Sequence, residues 1–311
     1  MKKRLAVPMS VAALAGVAVA AHRLTARGPD PQPPGKIIDL DGERIHFVEA
    51  GIAGAPAILL IHGFCGSTFS WRDVVPLLAR HYHVVALDLP GFGFSDRRQE
   101  LEYPLGSHAR RAARLLEHLG IERATVVGHS MGGGVAEHLA VRHPERIDGL
   151  VLAAAIDASR AQPWQSVSPL LWASLLQGTR VAFRVPPLVR WAARKSLVRM
   201  TGEERFGEAA TLDGYVGPLL IGGTAACFAR LAADWRAEPA IDLRRISAPV
   251  LVVSGELDRD IPPGVGAAIA GKIQHSRHLV LPGVGHLLFE QQPELFVEEV
   301  LTFLHEPARP S

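Results

Sequence analysis

Gly128-His129-Ser130-Met131-Gly132 decides the reading of this chain. The five residues follow an apolar β-type run, Ala124-Thr125-Val126-Val127, and open a helix-type run from Gly133 to Val141. Strand, sharp turn and helix form the context in which G-x-S-x-G makes a nucleophile elbow. Glycines flank the serine because the turn is tight and neighbouring backbone comes close, so a Cβ would collide. Such a turn lifts the Ser130 hydroxyl above the sheet edge and sets the backbone N–H of Met131 beside it. The pentapeptide alone is a weak signal, and its weight comes from residues elsewhere in the chain.

A serine that attacks an acyl group needs a base within hydrogen-bond reach, a carboxylate to orient that base, and donors for the oxyanion. The base is expected at His286, in Pro282-Gly-Val-Gly-His286, just past an apolar strand on a glycine-rich loop. The acid is expected at Asp258, in Ser254-Gly-Glu-Leu-Asp258, again immediately beyond a strand. Asp260, two residues on, and Asp157, after the run 149–155, are rival acids. His62 and His129 flank the site and are expected to shape it through hydrogen bonds rather than to serve as base. His62-Gly63-Phe64 ends the strand 57–61, and its turn can supply the Phe64 N–H as a second oxyanion donor to complement Met131. Ser95 and Asp96 read as parts of a structural loop, and Cys65 as a small side chain filling space.

Elsewhere the chain alternates strands with helices. Ile37–Leu40, an Asp41-Gly42 turn and Arg44–Glu49 read as a hairpin. Apolar strands are expected at 57–61, 83–87, 124–127, 149–155, 249–253 and 277–281. Helices are expected at Trp71–Arg80, Ser107–Leu119, Gly133–Val141, Val265–Ala270 and Glu294–Leu304. This alternation predicts an α/β fold, a parallel sheet with helices on both sides. From Asp157 to about Arg245 it stops. Helix-type segments there, with Trp164, Trp172, Trp191 and Trp235, read as a lid over the C-terminal edge of the sheet, where ligands bind. The expected organisation is therefore an N-terminal segment and proline linker (1–35), a core (36–156 and 246–305) and a helical lid (157–245).

Taken together, these residues resemble the α/β-hydrolase family. The likeness covers Lys36 to Leu304 apart from the lid. It runs through His62-Gly63, Asp88-Leu-Pro-Gly91-Phe-Gly93-Phe-Ser95, the elbow, Arg142-His-Pro-Glu-Arg146, Gly255…Asp258 and Gly285-His286. The resemblance implies an eight-stranded, mostly parallel sheet with a helical cap, a Ser130–His286–Asp258 triad, and no metal or organic cofactor. A serine at the elbow points to acyl chemistry. Relatives that open epoxides or displace halide use an aspartate there, because they form an alkyl ester. Cleavage of carboxylic esters is expected first. Carbon–carbon bond hydrolysis, cofactor-free perhydrolysis and acyl transfer share the same triad, and a non-catalytic ligand-binding protein is the alternative of another class.

Composition bounds the rest. The 311 residues, 48% hydrophobic and 21% charged, suffice for one large α/β domain with an insertion. A net charge of +2 and the lack of any basic block give no reason to expect nucleic-acid binding. The two cysteines, Cys65 and Cys227, have no C-x-x-C spacing and are expected to be unpaired thiols. Lys2-Lys3-Arg4 precedes an uncharged run from Leu5 to Ala21, with Arg23 and Arg27 following, so residues 1–24 are expected to anchor the chain at a membrane or to direct export. The expected partner is a small acyl ester, and oligomeric state is not legible. Leu188–Met200 is expected to be a lid helix with Arg190, Arg194, Lys195 and Arg199 on one broad face.

Overall fold

The computed structural model describes residues 33–98, 100–160 and 182–305. The expected anchor, and the lid residues 161–181 with Trp164, Trp172 and Arg180, lie outside the described residues.

The chain enters through a hairpin, β1 (Lys36–Leu40) and β2 (Glu43–Gly51). Its turn residues Asp41 and Gly42 both have positive φ, 55° and 81°, as a two-residue turn matching the strand twist requires. Six more strands follow: β3 (Ala57–Ile61), β4 (His83–Leu87), β5 (Ala124–His129), β6 (Ile147–Ala153), β7 (Val250–Gly255) and β8 (Ser276–Leu281). They form one sheet in the order β1-β2-β4-β3-β5-β6-β7-β8. Strand β2 runs antiparallel to both of its neighbours, and every pair from β4 to β8 is parallel.

Both sheet faces are covered, which is why the inner strands read as unbroken apolar runs. Successive residues serve opposite cores. Leu59, Val85, Val126, Leu150 and Val252 pack toward α2 (Leu105–His118), α3 (Met131–Arg142) and α7 (Pro263–Ala270). Leu60, Val84, Val127, Val151 and Val253 pack toward α1 (Val75–Leu78), α8 (Leu288–Gln291) and α9 (Pro293–His305). The Trp71 and Phe289 rings stack there at 4.2 Å.

The expected helix Trp71–Arg80 is much shorter than its pattern. A 3-10 turn at Thr68–Trp71 precedes α1, whose four residues begin just before Pro76. Proline has no N–H and fits only the first helical turn, so the helix cannot extend backward through it. Helix α2 starts two residues earlier than expected, at Leu105, because Glu238 reaches across to accept from its free Leu105 N–H at 2.7 Å.

Between β6 and β7, the described part of the insertion holds α4 (Pro186–Thr201), α5 (Ala209–Leu219) and α6 (Thr224–Arg236). Helices α4 and α5 share a small core of Val189, Leu197, Phe206, Leu212 and Val216, to which Leu287 contributes from the sheet side, while α6 packs Phe228 and Leu231 into the main core. A buried polar knot fastens α5 to the core. The Tyr215 hydroxyl bonds Glu290 and lies 3.1 Å from Ser70 Oγ, while Arg72 Nη1 donates to Glu290 at 2.6 Å. At the other end of the cap, Trp235 Nε1 donates to the Tyr103 carbonyl at 3.1 Å.

Burial pushes the Glu290 carboxyl from its ordinary 4.5 up to about 7, against the pull of the Arg72 guanidinium and the Tyr215 hydroxyl. The folded state then holds this proton more tightly than the unfolded chain does. The stability it contributes is fully present below about pH 4.5 and is lost as pH rises through about 7. Thermal melts between about pH 5.5 and 8.5 are expected to show a falling melting temperature. Glu290→Gln, which keeps the shape and removes the titration, should flatten that slope; an unchanged slope would assign the effect to another group.

Candidate active site

Strand β5 lies in the middle of the sheet, and its last residues lead straight into the elbow. Ser130 has φ 52° and ψ −116°, a conformation that costs a residue with a Cβ about 1–3 kcal/mol. The turn is held open by its surroundings. Ser130 N–H donates to Ala153 O at 3.0 Å, and Ser130 O accepts from Gly133 at 3.0 Å and Ile156 at 3.2 Å. The two flanking glycines are required by contact. A Cβ on Gly128 would sit 2.4 Å from Gly132 O, and one on Gly132 would sit 2.3 Å from Ile61 O.

The half-buried serine faces His286. Ser130 Oγ lies 3.1 Å from His286 Nε2, and His286 Nδ1 lies 2.7 Å from Asp258 Oδ2. The remaining Asp258 oxygen accepts the N–H groups of Asp260 at 2.8 Å and Ile261 at 2.9 Å. A carboxylate so placed accepts from Nδ1–H, which leaves Nε2 with its lone pair toward the serine hydroxyl. The three residues come from the ends of β5, β7 and β8, adjoining strands or next neighbours but one, so their loops meet over one edge.

The rival residues are engaged elsewhere. Asp157 pairs with Lys272 and accepts from Ser159. Asp260 is tied to Arg199 of α4 at 2.8 Å. His129 donates from Nε2 to the His286 carbonyl at 3.0 Å, and burial, with the neighbouring His286 ring, pushes its pKa far down. His62 is buried and its pKa is likewise lowered by burial. Its Nδ1 donates to Gly63 O at 2.7 Å and its Nε2 accepts from Leu89 N–H at 3.0 Å. This neutral ring staples the Gly63-Phe64 turn to the end of β4. Asp88, next along, is occupied with His46 at 2.6 Å and with the N–H groups of Thr68 and Phe94. Burial opposes its charge, but these partners outweigh burial and keep the carboxyl below its usual range. Ser95 Oγ donates to the Asp88 carbonyl at 2.6 Å, which makes its loop structural. Both cysteines are free, and burial pushes the Cys65 thiol up to about 12.

Met131 is the first residue of α3, so its N–H has no partner within the helix. Phe64 lies at the mouth of the site, 48% exposed, with its ring against Phe92 (5.6 Å), Phe228 (5.1 Å) and Trp235 (5.9 Å). Two of these three rings belong to cap helix α6. Among the described residues, no group of three or more His, Cys, Asp or Glu side chains is arranged to hold a metal ion.

Sequence reasoning missed Gln291. Its Oε1 accepts from Gly285 N–H at 2.8 Å and its Nε2 donates to Thr201 O at 3.1 Å and to Glu203 at 2.5 Å. His286 N–H itself donates to Met200 O at 2.9 Å. The loop that carries His286 is thus bonded to the C-terminal end of α4. These partners are some 90 residues apart in sequence, and only the position of Gln291, five residues after His286, could have drawn attention to it.

The strained elbow makes a stability prediction. Ser130→Gly relieves the positive φ and is expected to raise the unfolding free energy by about 1 kcal/mol, whereas Ser130→Ala keeps the strain and stays near the native value. Denaturant melts of the two variants measure the difference, and equal midpoints would mean that the turn is relaxed.

Comparison with known proteins agrees with this architecture. The sequence model of the alpha/beta hydrolase fold family matches residues 56–293. The uncharacterized hydrolase YugF of Bacillus subtilis is 28% identical, with 85% of this chain and 96% of that protein aligned. A pimeloyl-[acyl-carrier protein] methyl ester esterase of Aeromonas hydrophila is 30% identical over 80% of this chain and 95% of its own. The crystal structure of the enol-lactonase from Burkholderia xenovorans LB400 superposes with a TM-score of 0.71 at 25% identity, covering 87% of this chain and 100% of that one. The eight-stranded, mostly parallel sheet, its flanking helices and these matches place the chain in the alpha/beta hydrolase family, and it is a hydrolase of that fold.

Proposed function

We propose that this hydrolase cleaves carboxylic esters through an acyl-enzyme formed on Ser130. The observation that carries the reading is the unbroken line Ser130 Oγ–His286 Nε2 (3.1 Å), His286 Nδ1–Asp258 Oδ2 (2.7 Å). His286 takes the hydroxyl proton as Ser130 attacks the acyl carbonyl, and Asp258 holds the ring tautomer and stabilises the imidazolium that forms. The N–H groups of Phe64 and Met131 receive the oxyanion; each such donor is worth about 3–4 kcal/mol of barrier. His286 then returns its proton to the leaving alcohol. Water attacks the acyl-enzyme with the same ring as base and releases the acid and Ser130. No step needs a metal or an organic cofactor. Two similar proteins bear names of ester and lactone cleavage, which supports acyl–oxygen chemistry here.

Ser130→Ala is expected to abolish turnover of p-nitrophenyl esters and labelling by a fluorophosphonate probe, with the fold intact. Asp258→Asn should lower kcat by roughly 10³–10⁴, because the imidazole then carries its proton on the wrong nitrogen. Asp157→Asn and Asp260→Asn should stay within a few-fold of native. Retained activity in Asp258→Asn with loss in either of the other two would overturn the acid assignment. A native chain that no fluorophosphonate labels would make the protein a ligand-binding member of the fold. Esters, dienoic keto acids, and peroxide with acetate, assayed side by side, separate ester cleavage from the other reactions of the same triad.

Gln291 is read as a positioning residue acting through His286. Gln291→Leu keeps the volume but cuts the bonds to Gly285 and Thr201. It is expected to lower kcat by roughly 10- to 100-fold with KM little changed, since a small misplacement of the base is felt mainly in the chemical step. Gln291→Glu keeps the acceptor to Gly285 but sets a carboxylate against Glu203, so recovery of part of the loss is expected only when it is combined with Glu203→Gln. A change confined to KM would exclude this role.

A further inference from the structure

Helix α4 has one buried and one open side. Val189 and Leu197 are buried and Ala193 and Met200 half-buried. The expected broad basic face is different in the structure. Arg190 pairs with Asp213, Arg194 with Glu204 at 2.6 Å and Arg199 with Asp260 at 2.8 Å. Their charges are largely neutralised, because acids brought in by α5, the turn at 204–207 and the Asp258 loop lie alongside. What remains open is a narrower stripe. Leu188 is 43% exposed, and Trp191, at 60%, is the most exposed large apolar side chain among the described residues. Lys195, one turn on, and Arg184, just before the helix, are exposed with no acidic partner among the described residues. Leucine, tryptophan and lysine at i, i+3 and i+7 share one helix face, an apolar stripe with cations at its margins.

A second observation concerns where the chain joins the fold. Register runs level from Lys36 to Phe47, Leu87, Ile61 and Gly128. Lys36 therefore lies at the height of the elbow, at the edge of the sheet that carries Ser130. Pro34 is held there as well, its carbonyl 2.5 Å from His46 Nε2. Residues 1–32, with the basic-then-apolar pattern of a membrane anchor, thus attach at the catalytic edge and not the opposite one. Eight strands at about 4.8 Å make that edge ~35 Å wide. Twelve residues, 22–33, separate the apolar run from Pro34, and a chain of that length spans at most about 40 Å, which covers the width of the edge. An anchor so tethered can lie anywhere across the mouth of the site, α4 included.

We propose that the outer face of α4, formed by Leu188, Trp191 and Lys195, rests on an anionic lipid surface, with residues 1–32 holding the catalytic edge against the same surface. The substrate class that follows, on the ester-hydrolase reading, is an acyl ester delivered from lipid. Trp191 enters the headgroup layer as an amphipathic ring, and Arg184 and Lys195 meet the anionic headgroups.

The test uses the full chain with vesicles of phosphatidylglycerol and phosphatidylcholine whose acyl chains carry bromine, which quenches tryptophan at short range. Native protein is expected to lose markedly more fluorescence than Trp191→Phe when both sediment with the vesicles, and Arg184→Glu with Lys195→Glu should narrow that gap. Equal quenching in native protein and Trp191→Phe would overturn the proposal, since binding would then involve the N-terminal segment alone; failure of native protein to sediment would overturn it too. The double variant Leu188→Ser, Trp191→Ser should lower, by several-fold, the ratio of rates on a vesicle-borne ester to a soluble short-chain ester, and an unaltered ratio counts against the proposal. Quenching does not need turnover, so a chain that binds as described and hydrolyses neither ester would refute the esterase reading and leave the lipid face standing.

Discussion

The backbone of Ser130 is the constraint on which the rest of the site depends. Its positive φ is unfavourable by about 1–3 kcal/mol, and it persists because β6 over-determines it. Ala153 O takes the serine N–H, and Ile156 N–H takes the serine carbonyl, so the turn is clamped from the adjoining strand. Gly128 and Gly132 are then fixed by contact, since the helix that leaves the turn packs directly on its own incoming strand and on the end of β3. The central place of β5 in the sheet follows from the same packing. With β3 on one side and β6 on the other, the elbow has the Gly63-Phe64 turn to one side and the Asp258 and His286 loops to the other.

Much of this was legible in the sequence, for a definable reason. Strands covered on both faces must be apolar throughout, so β3 to β7 stand out as runs, and the glycine-flanked serine can stand only at the end of one of them. Asp41-Gly42 likewise specifies its own turn. Local pattern failed where long-range partners decide the outcome. Glu238 lengthens α2 by satisfying its first N–H, a bond between residues 133 apart. Tyr215 and Glu290, 75 apart, meet in a buried knot that no periodicity announces. The basic face of α4 was visible as sequence, but the acids that neutralise it come from three other segments, and charge pattern along one helix carries no information about them.

Those same long-range bonds define how the cap relates to the chemistry. Helix α4 holds the His286 loop through Met200 O and through Gln291, and it touches the acid loop through Arg199 and Asp260. Helix α6 holds the Phe64 ring between Phe228 and Trp235. Ser130, by contrast, is fixed by β5, β6 and α3. Ser130 thus belongs to the sheet, while the loops of His286 and Asp258 and the Gly63-Phe64 turn each have a contact with the cap.

This division has a mechanical consequence. His286 is held from two directions, its N–H by Met200 O of α4 and its carbonyl by His129 Nε2 of β5, so the Oγ–Nε2 separation is set jointly by the cap and by the strand that carries Ser130. The bond is 3.1 Å in this structure, near the long end of the range for proton transfer, whereas the 2.7 Å bond to Asp258 links two loops that both lean on α4. Both members of the His286–Asp258 pair therefore have support from α4, and on the ester-hydrolase reading proposed above the serine-to-histidine transfer is the step that depends on how cap and sheet meet. Strands β3 to β7 are bonded on both sides and almost wholly buried, so the sheet fixes Ser130 while the cap gives the His286 loop its second support.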